Sequence, residues 1–438
     1  MSARNFLEVL KSKLLSPQPR AGSPSDRGKV ISFPAPASLP DEHRPLINKI
    51  IPGIIAGSAD LDPAAVMTAT VAGASVGVSV GWIIILCIPI LNAVFGVAAR
   101  LGHETRVGLV ELVRRRFGRV SAISFAMMMV VVNVLMIIAD IMAVSDAMSI
   151  LLQQSARFFP AAVAFTVWYF LTKVGYERVN RSLSLLSLFL LSYVVAALMA
   201  TMSTHTVTHT AEAIVLPKLS ASTGYVMALI AVFGSLLTPD VIVWQTSTKR
   251  ESGASFHNVE SKFGCFVACI VSLSALVAAS TMNVADPASM TTRQAADALA
   301  GLGHMGPILF SLGIFGSGMV ALPILVASLC FSVAEAFGWN YGLSKSPWEA
   351  RPFFILICIV LVAAVTVNYI GINTVKTLFW SQVLAGIFIV PILYIILKLS
   401  NDRRVLRTVN TRWENFWLGG AVGGMIVANL LFFWNGLF

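Results

Sequence analysis

Two stretches of this sequence place a carboxylate next to a proline inside a long apolar segment. Residues 57–63 read Gly-Ser-Ala-Asp-Leu-Asp-Pro, and residues 234–240 read Gly-Ser-Leu-Leu-Thr-Pro-Asp. A charge at membrane depth loses its hydration, and a proline removes a backbone donor and interrupts a helix. Such a break is tolerated only where it lines a protected cavity. Each stretch therefore predicts two half-helices that meet at a binding site near the middle of the bilayer.

Asp62 is the leading candidate ligand in the first stretch. A carboxylate beside carbonyls that a helix break leaves unpaired, such as that of Ala59, suits a hard cation. An aspartate before a proline is also a common helix cap, and Asp62 can fill both roles. Asp60 lies on another face, where it would line a vestibule or hydrogen-bond the loop.

The second stretch offers the hydroxyls and nearby carbonyls of Ser235 and Thr238. They would ligate or orient an ion, or they would satisfy backbone groups that Pro239 leaves unpaired. Asp240 falls in the first turn of the following half-helix. An acid there complements the helix dipole, so capping is a full alternative to a role in coupling or ligation.

Other polar residues lie within apolar segments. Asp140 is an isolated intramembrane acid and hence a pathway candidate, whereas Asp146, nearer the outer end, could simply face water. Gln382 could orient a hydrated ion or bridge two helices, and Glu335 could anchor a helix end. The pair His205 and His209 has metal-binding spacing, but the stretch is typical of a loop.

The composition indicates a membrane protein that crosses the bilayer many times. Of 438 residues, 57% are hydrophobic and 12% are charged. The net charge of +10 would suggest nucleic acid in a soluble protein, but here we attribute it to cytoplasmic loops and expect no nucleic-acid partner. The five cysteines fall within apolar segments, which predicts buried, reduced thiols.

The hydropathy pattern predicts an all-α fold with about eleven transmembrane helices. Residues 1–45, rich in proline, serine and basic side chains, are expected to form a disordered cytoplasmic tail before a transmembrane domain over residues 46–438. Lys and Arg concentrate in alternate loops, which predicts a multi-pass protein of the plasma or inner membrane with the N-terminus cytoplasmic and the C-terminus outside. The segments are 46–74, 80–99, 121–150, 159–173, 183–203, 223–248, 262–282, 305–333, 352–369, 373–397 and 414–436; the basic loops are 100–119, 173–181, 249–262, 345–351 and 398–412.

The two interrupted segments are the first and the sixth. An offset of five helices inverts the second copy relative to the first, which predicts a leucine-transporter-type fold of five plus five inverted helices. The sequence contains no phosphate-binding loop, nucleophile elbow or zinc-protease motif. We therefore expect neither an enzyme nor ATP-driven transport, and no cofactor.

The run Asp-Pro-Ala-Ala over residues 62–65 resembles the Asp-Pro-Gly-Asn motif of the Nramp divalent-metal transporters. Thr-Pro-Asp over 238–240 falls where that family has Met-Pro-His, and Asp140 and Gln382 fall at its polar positions in helices three and ten. The runs 312–318 and 333–339 are similar to the Nramp-related branch described as magnesium transporters. The resemblance covers nearly the whole membrane domain and implies a divalent cation as the substrate.

The chain departs from the family pattern at four positions. Ala65 replaces the motif asparagine and Thr238 the methionine, a soft ligand that favours transition metals over hard ions. Ala143 stands where helix three often has a glutamate, and Asp240 replaces a histidine. The last two belong to the family's proposed proton route, so proton-coupled symport stays an open question.

These observations predict a secondary transporter of divalent cations that prefers hard ions (Mg²⁺ and/or Mn²⁺) and works by alternating access. The alternative is a cation-coupled symporter of a small organic solute, such as an amino acid, on the same fold. In that case the half-helix N-termini would bind a substrate carboxylate and Asp62 a coupling cation. A membrane sensor is a third possibility, against which the costly broken helices argue. The sequence leaves the oligomeric state open.

Overall fold

The computed structural model describes residues 62–173, 193–195, 197–199, 212, 214, 219–252, 258–282, 287, 290–296, 305–343 and 345–437. The predicted tail, the stretch 46–61 and nearly all of the segment 183–203 lie outside these ranges. Within them the regular structure is helical, as the sequence predicts.

Thirteen α-helices of the described ranges carry the architecture. They are α1 (Pro63–Val76), α2 (Gly81–Thr105), α3 (Leu109–Phe117), α4 (Arg119–Leu152), α5 (Pro160–Lys173), α6 (Thr223–Leu236), α7 (Pro239–Ser252), α8 (Asn258–Ala279), α9 (Thr292–Ala296), α10 (Met305–Phe337), α11 (Arg351–Asn368), α12 (Thr374–Ser400) and α13 (Arg412–Leu437). Short 3-10 turns, Gly77–Val80 and Ala156–Phe158, precede α2 and α5.

Seven helical stretches of the described ranges are long and apolar enough to cross a membrane. The first includes both α1 and α2 with the 3-10 turn between them, and α8 contains a shorter apolar stretch, Gly264–Ala279. The protein is thus a multi-pass membrane protein. The seven are Pro63–Thr105, Arg119–Leu152, Thr223–Ser247, Met305–Phe337, Arg351–Asn368, Thr374–Ser400 and Arg412–Asn435.

Two local expectations were wrong. The basic stretch 100–119 is not simply a loop, because α2 continues to Thr105 and α3 follows. The apolar face of α3 is buried while Arg115 and Arg116 are exposed. The basic stretch therefore contains a short amphipathic helix that the sequence analysis took for a loop. Cys358 is exposed on α11, whereas the other four thiols are buried as expected.

The helices pack in two groups. In one group α4 packs against α10, and α11 contacts α4, α5 and α10. In the other, α1 packs on α6 and α8, and α2 packs on α7 and α8. Helix α12 contacts α4 in the first group and both α1 and α6 in the second. Helix α12 therefore lies between the two groups, in contact with α1 and α6, which carry the two proline-containing stretches at their ends.

A close crossing of α6 and α12 depends on glycine. A Cβ atom on Gly234 would lie 2.6 Å from the backbone nitrogen of Gly386. It would also overlap the backbone carbonyl oxygen of Gln382. The missing side chain lets the two backbones touch, as small residues do at helix interfaces in membranes. This contact fixes Gln382 next to the end of α6.

Candidate functional site

Asp62 caps the N-terminus of α1. It precedes Pro63, the first residue of α1, and its side-chain Oδ1 accepts a hydrogen bond from the N–H of Ala65. Only 2% of Asp62 is exposed to solvent. The capping role anticipated from the Asp-Pro pair is therefore present, and it uses one carboxylate oxygen and leaves Oδ2 for other partners.

Gln382 on α12 points at that second oxygen. Its Nε2 donates to Oδ2 of Asp62 over 3.4 Å, and its Oε1 lacks a hydrogen-bond partner among the described residues. Gln382 is fully buried. The contact joins α12 to the start of α1, and it places an unpaired carbonyl oxygen, a ligand that hard cations accept, beside a carboxylate.

The second break lies where the sequence predicts it. Helix α6 ends at Leu236 and α7 begins at Pro239, with Leu237 and Thr238 outside both helices. The Ser235 hydroxyl donates to the carbonyl of Val232 over 2.9 Å. Its hydroxyl therefore serves the helix backbone, while Pro239 has no N–H to offer the Ser235 carbonyl.

Thr238 and Asp240 interact across the start of α7. The Thr238 side chain hydrogen-bonds the Asp240 carboxylate, and the Asp240 backbone carbonyl accepts from the Ser328 hydroxyl of α10 over 2.9 Å. Oδ1 of Asp240 has no hydrogen-bond partner in the described ranges. Asp240 is thus a buried acid in the first turn of a helix, with one oxygen still available.

Asp140 brings a third buried carboxylate into the same region. It is fully buried in α4, and no hydrogen bond of normal geometry reaches either of its oxygens from the described residues. The carboxylates of Asp62, Asp140 and Asp240 are close enough to interact electrostatically. No ion pair to Lys, Arg or His reaches any of them within the described part of the chain. Three such groups need protons or a cation.

The structure brings some of the predicted site residues together. Gln382 contacts Asp62, Thr238 contacts Asp240, and Asp140 interacts electrostatically with both aspartates. Ala59 and Asp60 lie outside the described residues. Within the described ranges, no group of three His, Cys, Asp or Glu side chains is arranged closely enough to hold a metal ion by itself. An ion here would therefore need carbonyls, hydroxyls or water to complete its shell. His205 and His209 lie outside the described ranges.

Asn133 is a buried polar residue that the sequence analysis overlooked. It precedes Asp140 by two helical turns on α4, and neither atom of its amide group has a partner among the described residues. An asparagine within a 34-residue apolar helix was a signal that could have been noticed.

A glycine of α10 completes the wall next to the first break. A Cβ atom on Gly318 would lie 3.0 Å from Cγ of Pro63 and would overlap the side chain of Val144 on α4. The absence of a side chain lets α10 press Pro63 against α4. The glycine-containing run 312–318 therefore allows close helix packing at the start of α1.

Polar contacts close both ends of the helix assembly around the site. At the end of α4, Oδ2 of Asp146 accepts from the hydroxyls of Thr292 (2.6 Å) and Thr374 (2.7 Å), which joins α4, α9 and α12. Asp146 is therefore hydrogen-bonded rather than simply hydrated.

Glu335 near the end of α10 makes the corresponding contacts at the opposite end of α4. Its Oε2 accepts from the backbone N–H groups of Val110 (3.0 Å) and Glu111 (3.2 Å), and its Oε1 accepts from the Ser247 hydroxyl of α7 (2.9 Å). One fully buried carboxylate thus caps α3 and joins α3, α7 and α10.

Solved structures with the same fold are known. A crystal structure of the Eremococcus coleocola manganese transporter, in complex with an aromatic bis-isothiourea substituted compound, gives a TM-score of 0.71 at 15% identity over 90% of this chain and 89% of that chain. A mutant of that transporter gives 0.70 at 15% identity over 93% and 90%. MhsT in complex with L-phenylalanine gives 0.56 at 15% identity over 88% and 98%. A search of functionally curated proteins found no sequence match.

These likenesses confirm the all-α fold of the leucine-transporter type predicted from the two breaks. A family model described as natural resistance-associated macrophage protein-like matches residues 53–435. The match includes both breaks, α4 with Asp140 and α12 with Gln382. The chain therefore belongs to the Nramp family.

Proposed function

We propose that this protein is a secondary transporter that moves divalent metal cations, Mg²⁺ or Mn²⁺, across the membrane by alternating access. The observation that carries the proposal is the group of three buried carboxylates, Asp62, Asp140 and Asp240, which interact electrostatically and form no ion pair with a basic side chain in the described ranges. A divalent cation bound beside Asp62 would supply the counter-charge that these carboxylates need in order to be ionised together.

The donor set supports a hard cation. Asp62, the Gln382 carbonyl and the Thr238 hydroxyl offer only oxygen, and Thr238 stands where the family has a sulfur ligand. Oxygen donors suit Mg²⁺ and Mn²⁺, whereas sulfur would favour softer metals. The absence of a tight group of three acidic or imidazole ligands among the described residues agrees with an ion that keeps several of its waters, as Mg²⁺ does.

The similarity to the Eremococcus coleocola manganese transporter supports a metal substrate, and both metals are retained in the proposal. We propose Asp62 and Thr238 as ligands through their side chains and Ala59 and Ser235 as ligands through their carbonyls. Gln382 would orient the ion or its water. Asp60, Asp140 and Asp240 would line the route or couple it to a second ion.

Alternating access would use the contacts at the two ends. Asp146 with its two threonines would hold one end closed, and Glu335 with Ser247 and the start of α3 would hold the other. Each half of the cycle would break one set while the other persists, as one helix group rocks against the other. We place the N-terminus in the cytoplasm, and hence the Glu335 end also, on the basis of the loop charges.

A cation-coupled symporter of a small organic solute is the second candidate. The fold likeness to MhsT, solved with L-phenylalanine, favours it to that extent. In this case one cation at Asp62 would accompany a solute carboxylate held by half-helix N-termini.

Transport into liposomes tests the proposal. Purified full-length protein would be reconstituted with an internal metal-sensitive dye, and uptake of Mg²⁺, Mn²⁺ and a panel of radiolabelled amino acids would be measured. We expect metal uptake that Asp62→Ala abolishes and that Glu349→Gln, a change of an exposed loop acid, leaves intact. Amino-acid uptake without metal uptake would replace the proposal with the second candidate.

A further inference from the structure

A crevice of about 590 Å³ opens where α12 ends and α3 meets α4. Four cationic side chains and a single carboxylate line it, so positive charge is in clear excess. These residues are Arg116, Lys398, Asp402, Arg403 and Arg404. The crevice is separate from the two helix breaks and lies at the end of the molecule that the loop charges assign to the cytoplasm.

The one carboxylate of the crevice is already occupied. Oδ2 of Asp402 accepts from Nε of Arg116 over 2.8 Å, and Oδ1 accepts from the backbone N–H of Arg404 over 2.9 Å. Partial burial raises the pKa of Asp402, but these hydrogen bonds and the charges of Arg116 and Arg404 lower the pKa below its ordinary value. Lys398 and Arg403 form no ion pair within the described residues. Their charges are available to an external anion.

Backbone hydrogen bonds order the basic loop that follows α12. The N–H groups of Val405 and Leu406 donate to the carbonyl of Asp402 over 2.8 and 3.1 Å, and both apolar side chains are buried. The loop also continues into Asn410, whose N–H donates to the Ser400 carbonyl at the end of α12. These hydrogen bonds fix the backbone that carries Arg403 and Arg404 at the end of α12.

The crevice lies at an edge between apolar and basic surface. Tyr394, 49% exposed, lies one turn before Lys398 on α12, and its ring centre is 5.3 Å from the Lys398 ammonium. Phe117 and Val120, which follow Arg116 in the chain, have exposed apolar side chains. Exposed tyrosine and apolar groups beside basic side chains are typical of the membrane–water interface. The ligand that meets all of these groups has an anionic head and apolar chains.

We propose that this crevice binds the phosphate headgroup of an anionic phospholipid from the adjacent leaflet. Lys398, Arg403 and Arg404 contact the phosphate, and Tyr394 packs beside the glycerol and the first carbons of the acyl chains. Basic pockets at membrane helices bind such headgroups, and each nearby cation adds to the attraction for an anionic surface. Because Arg116 and α3 form one wall, a bound lipid would also brace the helix that Glu335 caps at its other end.

Native mass spectrometry of the full-length protein in detergent tests this proposal. The protein would be titrated with phosphatidylglycerol, with phosphatidylcholine, and with phosphatidylglycerol in the presence of excess inorganic phosphate. The test variant is the triple change Lys398→Gln, Arg403→Gln and Arg404→Gln. A control variant removes three charges from the same predicted side outside the crevice: Arg351→Gln, Arg407→Gln and Arg412→Gln.

We expect phosphatidylglycerol to bind at least about tenfold more tightly than phosphatidylcholine, and the test variant to lose that preference while the control keeps it. Asp402→Asn, which removes the only acid of the crevice lining, is expected to tighten phosphatidylglycerol binding a few-fold, an effect that misfolding would not produce. Equal loss in both triple variants would overturn the site, because it would show only general surface charge. Displacement by inorganic phosphate at similar concentration would overturn the lipid assignment.

Discussion

Nε2 of Gln382 lies 3.4 Å from Oδ2 of Asp62, so one amide on α12 holds the carboxylate that caps α1. The other carboxylate oxygen is engaged by the N–H of Ala65. The two contacts give Asp62 a fixed orientation before any ion arrives. Fixed ligands bind ions more tightly than mobile ones, because less freedom is lost on binding.

Gln382→Ala should therefore weaken binding of Mn²⁺ to the protein about tenfold, the low end of what a hydrogen bond to a charged group contributes. Gln382→Glu should do the opposite, because it gives up the donor to Asp62 but adds a second carboxylate that a divalent cation can bind together with the first. Calorimetric titration in detergent would measure both. Unchanged affinity in the two variants would show that Gln382 is only a bridge between helices.

Thr238→Met should change the selectivity of the site. A thioether is a soft ligand, so the affinity for Cd²⁺ relative to Mg²⁺ should rise by about tenfold or more. Thr238→Val is the matched control, because it removes the hydroxyl without adding sulfur. It should weaken Mg²⁺ binding and leave Cd²⁺ without a gain. If the two variants behaved alike in competition titrations, Thr238 would not contact the ion.

The sequence predicted the break at Pro239 and the helix start at Pro63 correctly, because each depends on a local rule. Proline cannot continue a helix, and Pro63 and Pro239 begin α1 and α7 as that rule requires. The capping role of Asp62 is equally local. The membrane-crossing segments of the described ranges were also found to within a few residues at most ends, because a bilayer requires long apolar helices.

Contacts between residues far apart in the chain could not be predicted from the sequence. Glu335 accepts hydrogen bonds from Val110 and Glu111, more than 220 residues away, and nothing in either segment alone indicates the pairing. Helix α3 was missed for a related reason: its apolar face is meaningful only once α10 and α4 are placed against it.

Glu335→Ala should destabilise the protein strongly. The change leaves two backbone N–H groups and the Ser247 hydroxyl without their acceptor in a buried place, at a cost of about 3 kcal/mol or more. Ser247→Ala removes only one of the three hydrogen bonds and should cost about 1 kcal/mol. Thermal unfolding in detergent compares the variants with the wild type. Equal small shifts would mean that Glu335 does not hold α3 and α7 together.

Asp146→Ala should open the end of the molecule at which it lies. The carboxylate accepts from Thr292 and Thr374, so its loss frees α9 and the start of α12 from α4. A reporter cysteine at Ser317, which is buried beside Gly318, would be introduced after Cys358→Ser removes the exposed thiol. We expect labelling of Ser317→Cys by a membrane-impermeant maleimide to become at least about tenfold faster, since the loss of only one of the two charged hydrogen bonds would have that effect. Ser149→Ala on the same helix should have no effect, and an unchanged rate with Asp146→Ala would contradict the closing role.

We expect a divalent cation to bind beside Asp62, at the start of α1. The most direct test is calorimetric titration of the folded, full-length protein with Mg²⁺ and Mn²⁺, with Asp62→Asn as the test variant and Glu349→Gln as the control. We predict saturable binding of one ion, competition between the two metals, and loss of binding in Asp62→Asn alone. Binding that persists unchanged in Asp62→Asn, or no binding of either metal to the wild-type protein, would contradict the account.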